Sequence, residues 1–401
     1  SYLPGVHFIH QGPRNDGMVS VRGFDLRQVP VYVDGVPVYV SYDGYTDLSR
    51  FLVADLSKIS VTRGETSVLL GPNNLGGAIN LVTRKPASDL EFDAEGGIFL
   101  DRSGWGGWRS SLNLGSRMNK FFVQLGAGAV QRQPFALSAK DGGFSGEGSV
   151  IRDNSQFRDL RTSVKLGYIK PGGNDSYVLS YQYQDGSKGV PEYTGEDPNQ
   201  RVRFWKFPAV IKQGIHFNGR TSLGRKAYVQ TRLFYDDYFS DLRSFDDSTY
   251  NSQTFRSSFT SIYDDRTLGG SVILSTGPRG GHEFRSAFHV VNDHHGERNI
   301  HPQEEPWRYF TDITFSAGVE DRMKLSEKLD AVAGVSVHYR NNLQADDFDP
   351  GTGSITEFPD HQNWSPNLLA GLRYRFSDRH LAGLNISRKT RFPTMKDRYS
   401  Y

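Results

Sequence analysis

The chain has 401 residues, a formal net charge of +2 and no cysteine. The near-neutral charge and the absence of a basic run exclude a nucleic-acid specialist, because phosphate binding needs a concentrated patch of cations. Without cysteine, disulfide scaffolds, thiolate metal sites and cysteine nucleophiles are excluded as well. No apolar stretch is long enough for a transmembrane helix, but the strands of a membrane β-barrel, which alternate polar and apolar residues, would not produce one.

Short β-rich pieces separated by glycine turns occupy the N-terminal part, at 19–24, 30–38, 61–65 and 70–86. Asp34 and Gly35 predict a tight hairpin turn, since both residue types tolerate a positive φ. The pair Gly76 and Gly77 permits a close backbone approach.

After a linker at 84–89 the pattern changes to long two-residue alternation. Apolar residues occupy one face of the strands predicted at 90–100, 121–129, 329–339 and 366–376. Gln124, Ser336 and His338, on the opposite faces, suit a wet or filled lumen. The alternation gives about thirteen strands, fewer than the about 22 of a plugged transporter barrel, so we expect the chain to lack C-terminal strands.

Short turns alternate with long polar connections along this second part. The short turns are predicted at 116–120, 170–176, 224–226, 276–281 and 377–379. The long loops are predicted near 131–158, 185–204, 236–265, 292–308 and 341–362. Tight turns at one rim and long loops at the other are typical of an outer-membrane β-barrel.

The N-terminal motifs resemble the plug domain of TonB-dependent outer-membrane receptors. Val21-Arg22-Gly23-Phe24 and Tyr32-Val33-Asp34-Gly35 are similar to the family's strand-and-turn pair, and 76–83 is similar to its final plug strand. The resemblance implies that the glycines at 76 and 77 allow the close backbone approach beneath the barrel wall. Glu65 departs from the family, in which proline is commoner there. The segment 387–399 is similar to one that family members carry well inside the C-terminal half of the barrel.

This resemblance implies an all-β membrane protein with two domains. An N-terminal α/β plug domain at 1–86 would lie in the lumen of an antiparallel transmembrane β-barrel of the 22-stranded type at 87–401. We expect the plug to lack its first part, including the TonB box, and the barrel to lack its last strands. The implied location is the bacterial cell outer membrane, which a multi-pass β-barrel crosses.

The resemblance also implies a function: TonB-dependent active import of a scarce metal chelate, above all an iron–siderophore, with no enzymatic activity and no cofactor. The implied partners of this expected monomer are the TonB–ExbB–ExbD energising complex, outer-membrane lipid with lipopolysaccharide, and the chelate. Cobalamin, another metal chelate or an oligosaccharide remain alternative cargoes. A passive porin-like, ligand-binding barrel is disfavoured by the plug motifs. A surface-exposed enzyme or adhesin built on a β-sandwich is a third class of function.

Five residues fall on plug loops that the resemblance directs toward the ligand: Gln11, Arg27, Gln28, Tyr42 and Tyr45. Aromatic faces supply contact area and polar tips supply orientation, which suits a bulky polar chelate. The alternative for each residue is a solvated or packed loop position.

Histidines cluster at His289, His294, His295 and His301, in a predicted long loop. Imidazoles at such spacing can bind a transition metal, although solvated loop histidines are commoner. We predict no metal site, with His294, His295 and His301 as the weak candidates. The acids of 347–357 resemble a calcium loop, but their glycine and final acid are out of EF-hand register, which favours an acidic turn.

Overall fold

The computed structural model describes residues 3–11, 14–63, 66–137, 150–195, 197 and 199–400, except for the side chain of Gln11. Glu65, where the sequence departs from the resemblance, lies outside the described residues, as does Gly64. Within the described ranges, no helix has the length and apolar character needed to cross a membrane.

The N-terminal residues form a small domain of short strands, which we call the plug. Its strands are β1 (Val6–Gln11), β2 (Asp16–Val21), β3 (Val31–Val33), β4 (Val36–Pro37), β5 (Leu56–Arg63) and β6 (Gly77–Thr83). β1 and β2 form a hairpin, and the other four form a mixed sheet in the order β4-β3-β6-β5. In the described plug, the helical part of the predicted α/β domain is reduced to 3₁₀ turns at Leu48–Arg50 and Val68–Leu70.

Valine-rich strands build the plug core, with Val21 and Val29 fully buried. The predicted hairpin turn is confirmed, since Asp34 and Gly35 have φ values of 51° and 83° between β3 and β4. The predicted close approach at Gly77 is also confirmed, but its partner is different. A Cβ there would lie 2.2 Å from the carbonyl oxygen of Thr62 in β5, so the glycine is required inside the plug rather than against the barrel wall.

The rest of the chain forms one large antiparallel sheet. Its strands are β7 (Glu91–Asp101), β8 (Gly104–Met118), β9 (Phe121–Arg132), β10 (Phe157–Ile169), β11 (Ser176–Val190), β12 (Phe204–Leu223), β13 (Ala227–Phe245), β14 (Phe259–Ser275), β15 (His282–His301), β16 (Arg308–Lys324), β17 (Leu329–Asp349), β18 (Ser354–Glu357), β19 (Gln362–Ser377) and β20 (His380–Arg388). In the described residues, thirteen strands pair in unbroken order from β7 to β20, and β18 pairs with β17. This number matches the alternation in the sequence. A short helix, α1 (Met395–Tyr399), follows β20.

The two faces of the sheet have opposite chemistry, as the alternation predicts. Large apolar side chains such as Phe92 and Leu268 are exposed on the outer face, by 69% and 60% respectively. Gln124, Ser336 and His338 are buried on the inner face, against the plug or against other lumenal side chains. An apolar outer belt around a polar, filled interior is the arrangement of an outer-membrane barrel.

The five predicted tight turns are confirmed, but several predicted loops are shorter than expected. β15 continues to His301 and β17 to Asp349, which leaves connections of 302–307 and, around β18, 350–361. The error has a physical cause. Beyond the lipid belt both faces of a strand meet water or polar groups, so the side-chain alternation fades while the backbone pairing continues.

Val272 lies within the outward apolar row of β14, between Leu268 and Leu274. Val272→Arg should destabilise the folded barrel by ~2–4 kcal/mol, because a guanidinium near the bilayer midplane is poorly solvated. Urea-dependent folding into lipid vesicles measures the change. Ile262→Arg is the control: it lies on the same strand beyond Arg266, toward the long-loop rim, and should cost at most about 1 kcal/mol. Equal losses would contradict this placement of the belt.

Candidate ligand-binding site at the plug apex

A cavity of about 1050 Å³ opens at the long-loop rim, between the plug and strands β9 to β12. Its plug side includes Phe8, His10 and Asn15 of the β1–β2 hairpin, together with the 3₁₀ turn that ends at Arg50. Its barrel side comes from residues within 132–135, 152–157, 188–195 and 200–203. We call this cavity the apical basin. Its size is suited to a small-molecule chelate.

Cations dominate the lining of the apical basin. Among its described lining residues, one carboxylate, Glu192, stands against six cations: Arg50, Arg132, Arg152, Lys188, Arg201 and Arg203. Such an excess of one charge in a concave surface attracts ligands of the opposite charge.

Three of these cations are available to a ligand. In the described part of the chain, no carboxylate lies within ion-pair distance of Arg132, Arg201 or Arg203. The Arg132 guanidinium lies 4.0 Å from the centre of the Phe99 ring, and that of Arg203 lies 4.9 Å from the Trp205 ring. The rings fix the planes of the guanidiniums and leave their N–H groups free to donate to an anion.

Two of the other lining cations, Arg50 and Lys188, connect the wall to the plug through buried ion pairs. Arg50 Nη2 of the plug lies 2.6 Å from Asp159 Oδ1 of β10. Lys188 Nζ of β11 lies 2.7 Å from Asp16 Oδ1 and 2.8 Å from Asp47 Oδ2, both in the plug. Since a buried charge without its partner is costly, these pairs fix the plug against the wall beneath the basin.

A second charged group lies in the plug loop 38–47. Asp43 Oδ2 accepts from Arg14 Nη1 at 2.6 Å, and its Oδ1 accepts from Lys396 Nζ at 3.0 Å. Burial by itself would raise the pKa of the Asp43 carboxyl, but the two cations outweigh burial and lower that pKa to about 2. The carboxylate is therefore ionised at any physiological pH.

Tyr42 and Tyr45 flank this aspartate, and both are buried. The Tyr42 ring stacks on His295 of β15, with 4.3 Å between ring centres, and packs against Met395 of α1. Tyr45 belongs to the plug core, and its hydroxyl donates to Asp16 Oδ2 at 2.9 Å. Packing therefore covers both rings, as in the packed alternative that the sequence left open. Their role in ligand contact stays a prediction.

Arg27 and Gln28 stabilise the loop before β3. The Arg27 guanidinium lies 5.2 Å from the centre of the Tyr45 ring, and its Nε donates to the carbonyl oxygen of Asp43 at 3.2 Å. The Gln28 side chain accepts from the backbone N–H of Asp25 at 3.3 Å. Gln11 is the last residue of β1, paired in register with Asp16 near the basin. The five predicted ligand residues are therefore spread over the plug apex rather than gathered in one pocket.

The candidate histidines lie on strand β15 or at its end, not in a loop. His295 is buried on the lumenal side with Nδ1 2.5 Å from Asp265 Oδ1. His294 lies on the opposite face, with Nδ1 2.9 Å from Thr311 Oγ1. His301 Nε2 lies 2.6 Å from the carbonyl oxygen of Gln253. Because successive strand residues point to opposite faces, these side chains do not converge. The described residues contain no group of three or more potential ligands that could hold a metal ion.

The family model described as TonB-dependent Receptor Plug Domain matches residues 1–78. Residues 1–78 are therefore similar to the plug domain of TonB-dependent receptors. The matched residues cover most of the plug, and the large antiparallel sheet lies around it.

Comparison with known proteins gives one similar curated protein and two similar solved structures. Lactoferrin-binding protein A of Neisseria meningitidis serogroup A is 31% identical over 213 residues, which are 49% of this chain and 20% of that protein. The solved copper transporter OprC has a TM-score of 0.76 at 14% identity, and the ferric citrate transporter FecA in its unliganded form has 0.76 at 16%. This chain is covered to 96% in both comparisons and spans 60% and 58% of those two chains.

Sequence reasoning missed the cations of the apical basin. Arg50 and its partner Asp159 are 109 positions apart, and Lys188 is 172 positions from Asp16. The one available signal was Arg201 and Arg203 close together in a predicted long loop. A loop's charge alone does not reveal which cations lack a partner.

Asp43→Asn should lower the local stability of the plug apex by about 2 kcal/mol at neutral pH, because a carboxyl whose pKa falls from 3.8 to about 2 on folding contributes that much. This contribution is present above the unfolded pKa and is lost as the pH falls through about 2. Hydrogen exchange of plug amides against pH measures it. Asp89→Asn, in the linker, should change nothing; unaltered plug protection in Asp43→Asn at pH 7 would contradict the assignment.

Proposed function

We propose that this chain belongs to a receptor that captures an anionic iron chelate, such as a ferric siderophore, in the apical basin, and imports it across the outer membrane with energy from TonB–ExbB–ExbD. The observation that carries the proposal is the excess of unpaired cations in a basin at the long-loop rim, directly above the plug. The plug-domain match supports the dependence on TonB.

The chemistry of the basin favours oxygen-rich anions. Ferric chelates built from carboxylates or catecholates carry negative charge on their ligand oxygens. Arg132 and Arg203 can each donate two parallel hydrogen bonds to such oxygens, which gives affinity and orientation together. The rings of Phe8 and Phe135 in the lining add apolar contact for the body of the chelate.

Import needs a movement that binding alone does not supply. The plug fills the lumen, and buried ion pairs such as Lys165 with Asp34 and Arg161 with Asp55 fix it to the wall. A charged pair can be replaced by water once the interface opens, so a polar seam permits reversible displacement more readily than an apolar one would. An inner-membrane complex pulling on the plug would provide the work.

A second candidate is capture of iron from an iron-carrying protein. The observation that favours it is the 31% identity to a protein named for binding lactoferrin. A protein partner would contact the outer surfaces of the long loops rather than the basin floor. Binding of iron-loaded lactoferrin to the purified chain, undiminished by the basin substitutions described next, would support this candidate instead.

The double variant Arg132→Gln/Arg203→Gln should weaken the binding of ferric citrate and of a ferric tricatecholate at least tenfold, equivalent to about 1.4 kcal/mol, because two charge-assisted donors are removed. Quenching of intrinsic tryptophan fluorescence by the chelate measures the affinity. Arg225→Gln is the matched control, since Arg225 lies in the β12–β13 turn at the opposite rim.

An uncharged ferric trihydroxamate serves as the comparison ligand. We expect it to bind weakly and equally to the parent and to the double variant. If the parent protein binds neither anionic chelate, or prefers the uncharged one, the proposed ligand class is wrong.

A further inference from the structure

The chain turns into the lumen after β20. Residues 389–400, which we call the strap, leave the wall at Arg388 and lie along the plug. The strap ends in α1, whose first turn is fixed by a capping box: Thr394 Oγ1 accepts from the N–H of Asp397, and the Asp397 carboxylate accepts from the N–H of Thr394. Arg391 and Asp397 form an ion pair at 2.9 Å across the strap. Its internal bonds make it a defined element rather than a loose connection.

The first half of the strap contacts the plug loop 66–73. Lys389 Nζ donates to the carbonyl oxygen of Thr66 at 2.5 Å. The N–H of Phe392 donates to Asn73 Oδ1 at 3.0 Å, and the N–H of Asn73 donates to the carbonyl oxygen of Thr390 at 3.3 Å. The strap thus both donates hydrogen bonds to this loop and accepts one from it.

The second half contacts the apical loop 41–44. Lys396 Nζ pairs with Asp43 at 3.0 Å, and the backbone N–H of Lys396 donates to the carbonyl oxygen of Tyr42 at 3.1 Å. The methyl group of Thr394 packs against Gly44, where a Cβ would lie only 2.6 Å from it. The φ of +74° therefore favours glycine at position 44, and the Thr394 methyl group leaves no room for a side chain there unless Thr394 is also replaced.

The strap is anchored to the wall at two positions, Pro393 between the two plug contacts and Arg398 after them. Arg340 of β17 donates from Nη1 to the carbonyl oxygen of Pro393 at 2.5 Å and lies 4.8 Å from the centre of the Phe392 ring. Arg398 pairs with Asp312 of β16. The strap is thus a connection between the wall and two separate loops of the plug.

The two plug loops face each other across a cavity of about 160 Å³, which is lined by Ser41 and Gly44 on one side, by 70–73 on the other and by 392–395 of the strap. The two loops make no direct contact across this cavity, so a movement of one cannot push on the other there. The strap can transmit such a movement, because it is hydrogen-bonded to both loops and has a fixed internal geometry. The strap is therefore a direct route by which a displacement of one loop can reach the other, in addition to the path inside the plug through Arg27, which donates to the carbonyl oxygen of Asp43, and Gln28, which accepts from the N–H of Leu75.

We propose that the strap couples the apical loop 41–44 to the loop 66–73, so that loosening its contact with Asp43 releases both loops from the wall together. The coupling is a property of the fold. It holds whichever ligand the basin takes, and its test requires no ligand.

Hydrogen–deuterium exchange of the purified full chain in detergent tests this coupling. Lys396→Gln removes the charge on the strap and leaves Asp43 paired with Arg14. We expect exchange to accelerate at least tenfold in 41–46 and also in 66–75, the remote loop. Lys324→Gln is the matched control, since Lys324 pairs with the exposed Glu327 at the opposite rim, and it should alter neither loop. Acceleration confined to 41–46 would overturn the proposal.

A reversible cross-link gives a second measurement, should Lys396→Gln fail to fold. The chain contains no cysteine, so Gly44→Cys/Thr394→Cys introduces a single pair. A Cβ at position 44 lies 3.6 Å from the Thr394 Cβ, within the range of a disulfide. Oxidation should slow exchange in both 41–46 and 66–75, and reduction should restore the initial rates. Protection restricted to 41–46 after oxidation would show that the strap does not couple the loops.

Discussion

The pairing of backbone hydrogen bonds within one antiparallel sheet is the constraint on which the rest of this structure depends. In hydrocarbon an unpaired N–H or C=O group costs several kcal/mol, so the strands that cross lipid have to pair with one another. Strand geometry then sends successive side chains to opposite faces. Residues such as Leu268 meet lipid, and their neighbours such as Thr267 turn inward. A polar lumen follows from the same geometry that produces an apolar exterior.

The polar lumen in turn decides how the plug is held. The inner face offers Lys165, Lys188 and Asp159, and the plug meets these with charges of opposite sign. Ion pairs fix position well but add little net stability, because desolvation offsets most of the attraction. Such ion pairs hold the plug in one position while they are closed, and water can solvate their charges when the plug is displaced. The unpaired cations of the apical basin lie directly above it.

The strap adds a contact that differs in kind from the pairs along the wall. Lys188 or Lys165 holds the plug at one height, whereas residues 389–400 bind two loops of the plug and two strands of the barrel. Movement of the plug requires these contacts to change together or to break one after another. The apical loop, the cavity behind it and the strap therefore form one mechanical unit on the side of the plug that faces β16 and β17.

Local pattern was enough for much of the fold. The turn at Asp34-Gly35 could be predicted because it depends on φ preferences of adjacent residues, and the thirteen strands because side-chain alternation is a local record of which face meets lipid. The pattern failed where that record fades. The upper part of β15 reads as a loop since both its faces are polar, and His294 and His295 appear as a cluster although the strand separates them.

The sequence by itself determined the similarity to the plug family, the alternation of polar and apolar side chains along the barrel strands, and the difference between short turns at one rim and long loops at the other. Each of these features depends on residues that are close together in the chain. Only the tertiary structure decided the burial of Tyr42 and Tyr45, the partners of Lys188 and Arg50, and the position of 389–400 on the plug. These contacts join residues that are tens to hundreds of positions apart, as with Lys389 and Thr66, 323 positions from each other. Which cation finds a carboxylate, and which is left for a ligand, is fixed by the packing of the plug in the lumen.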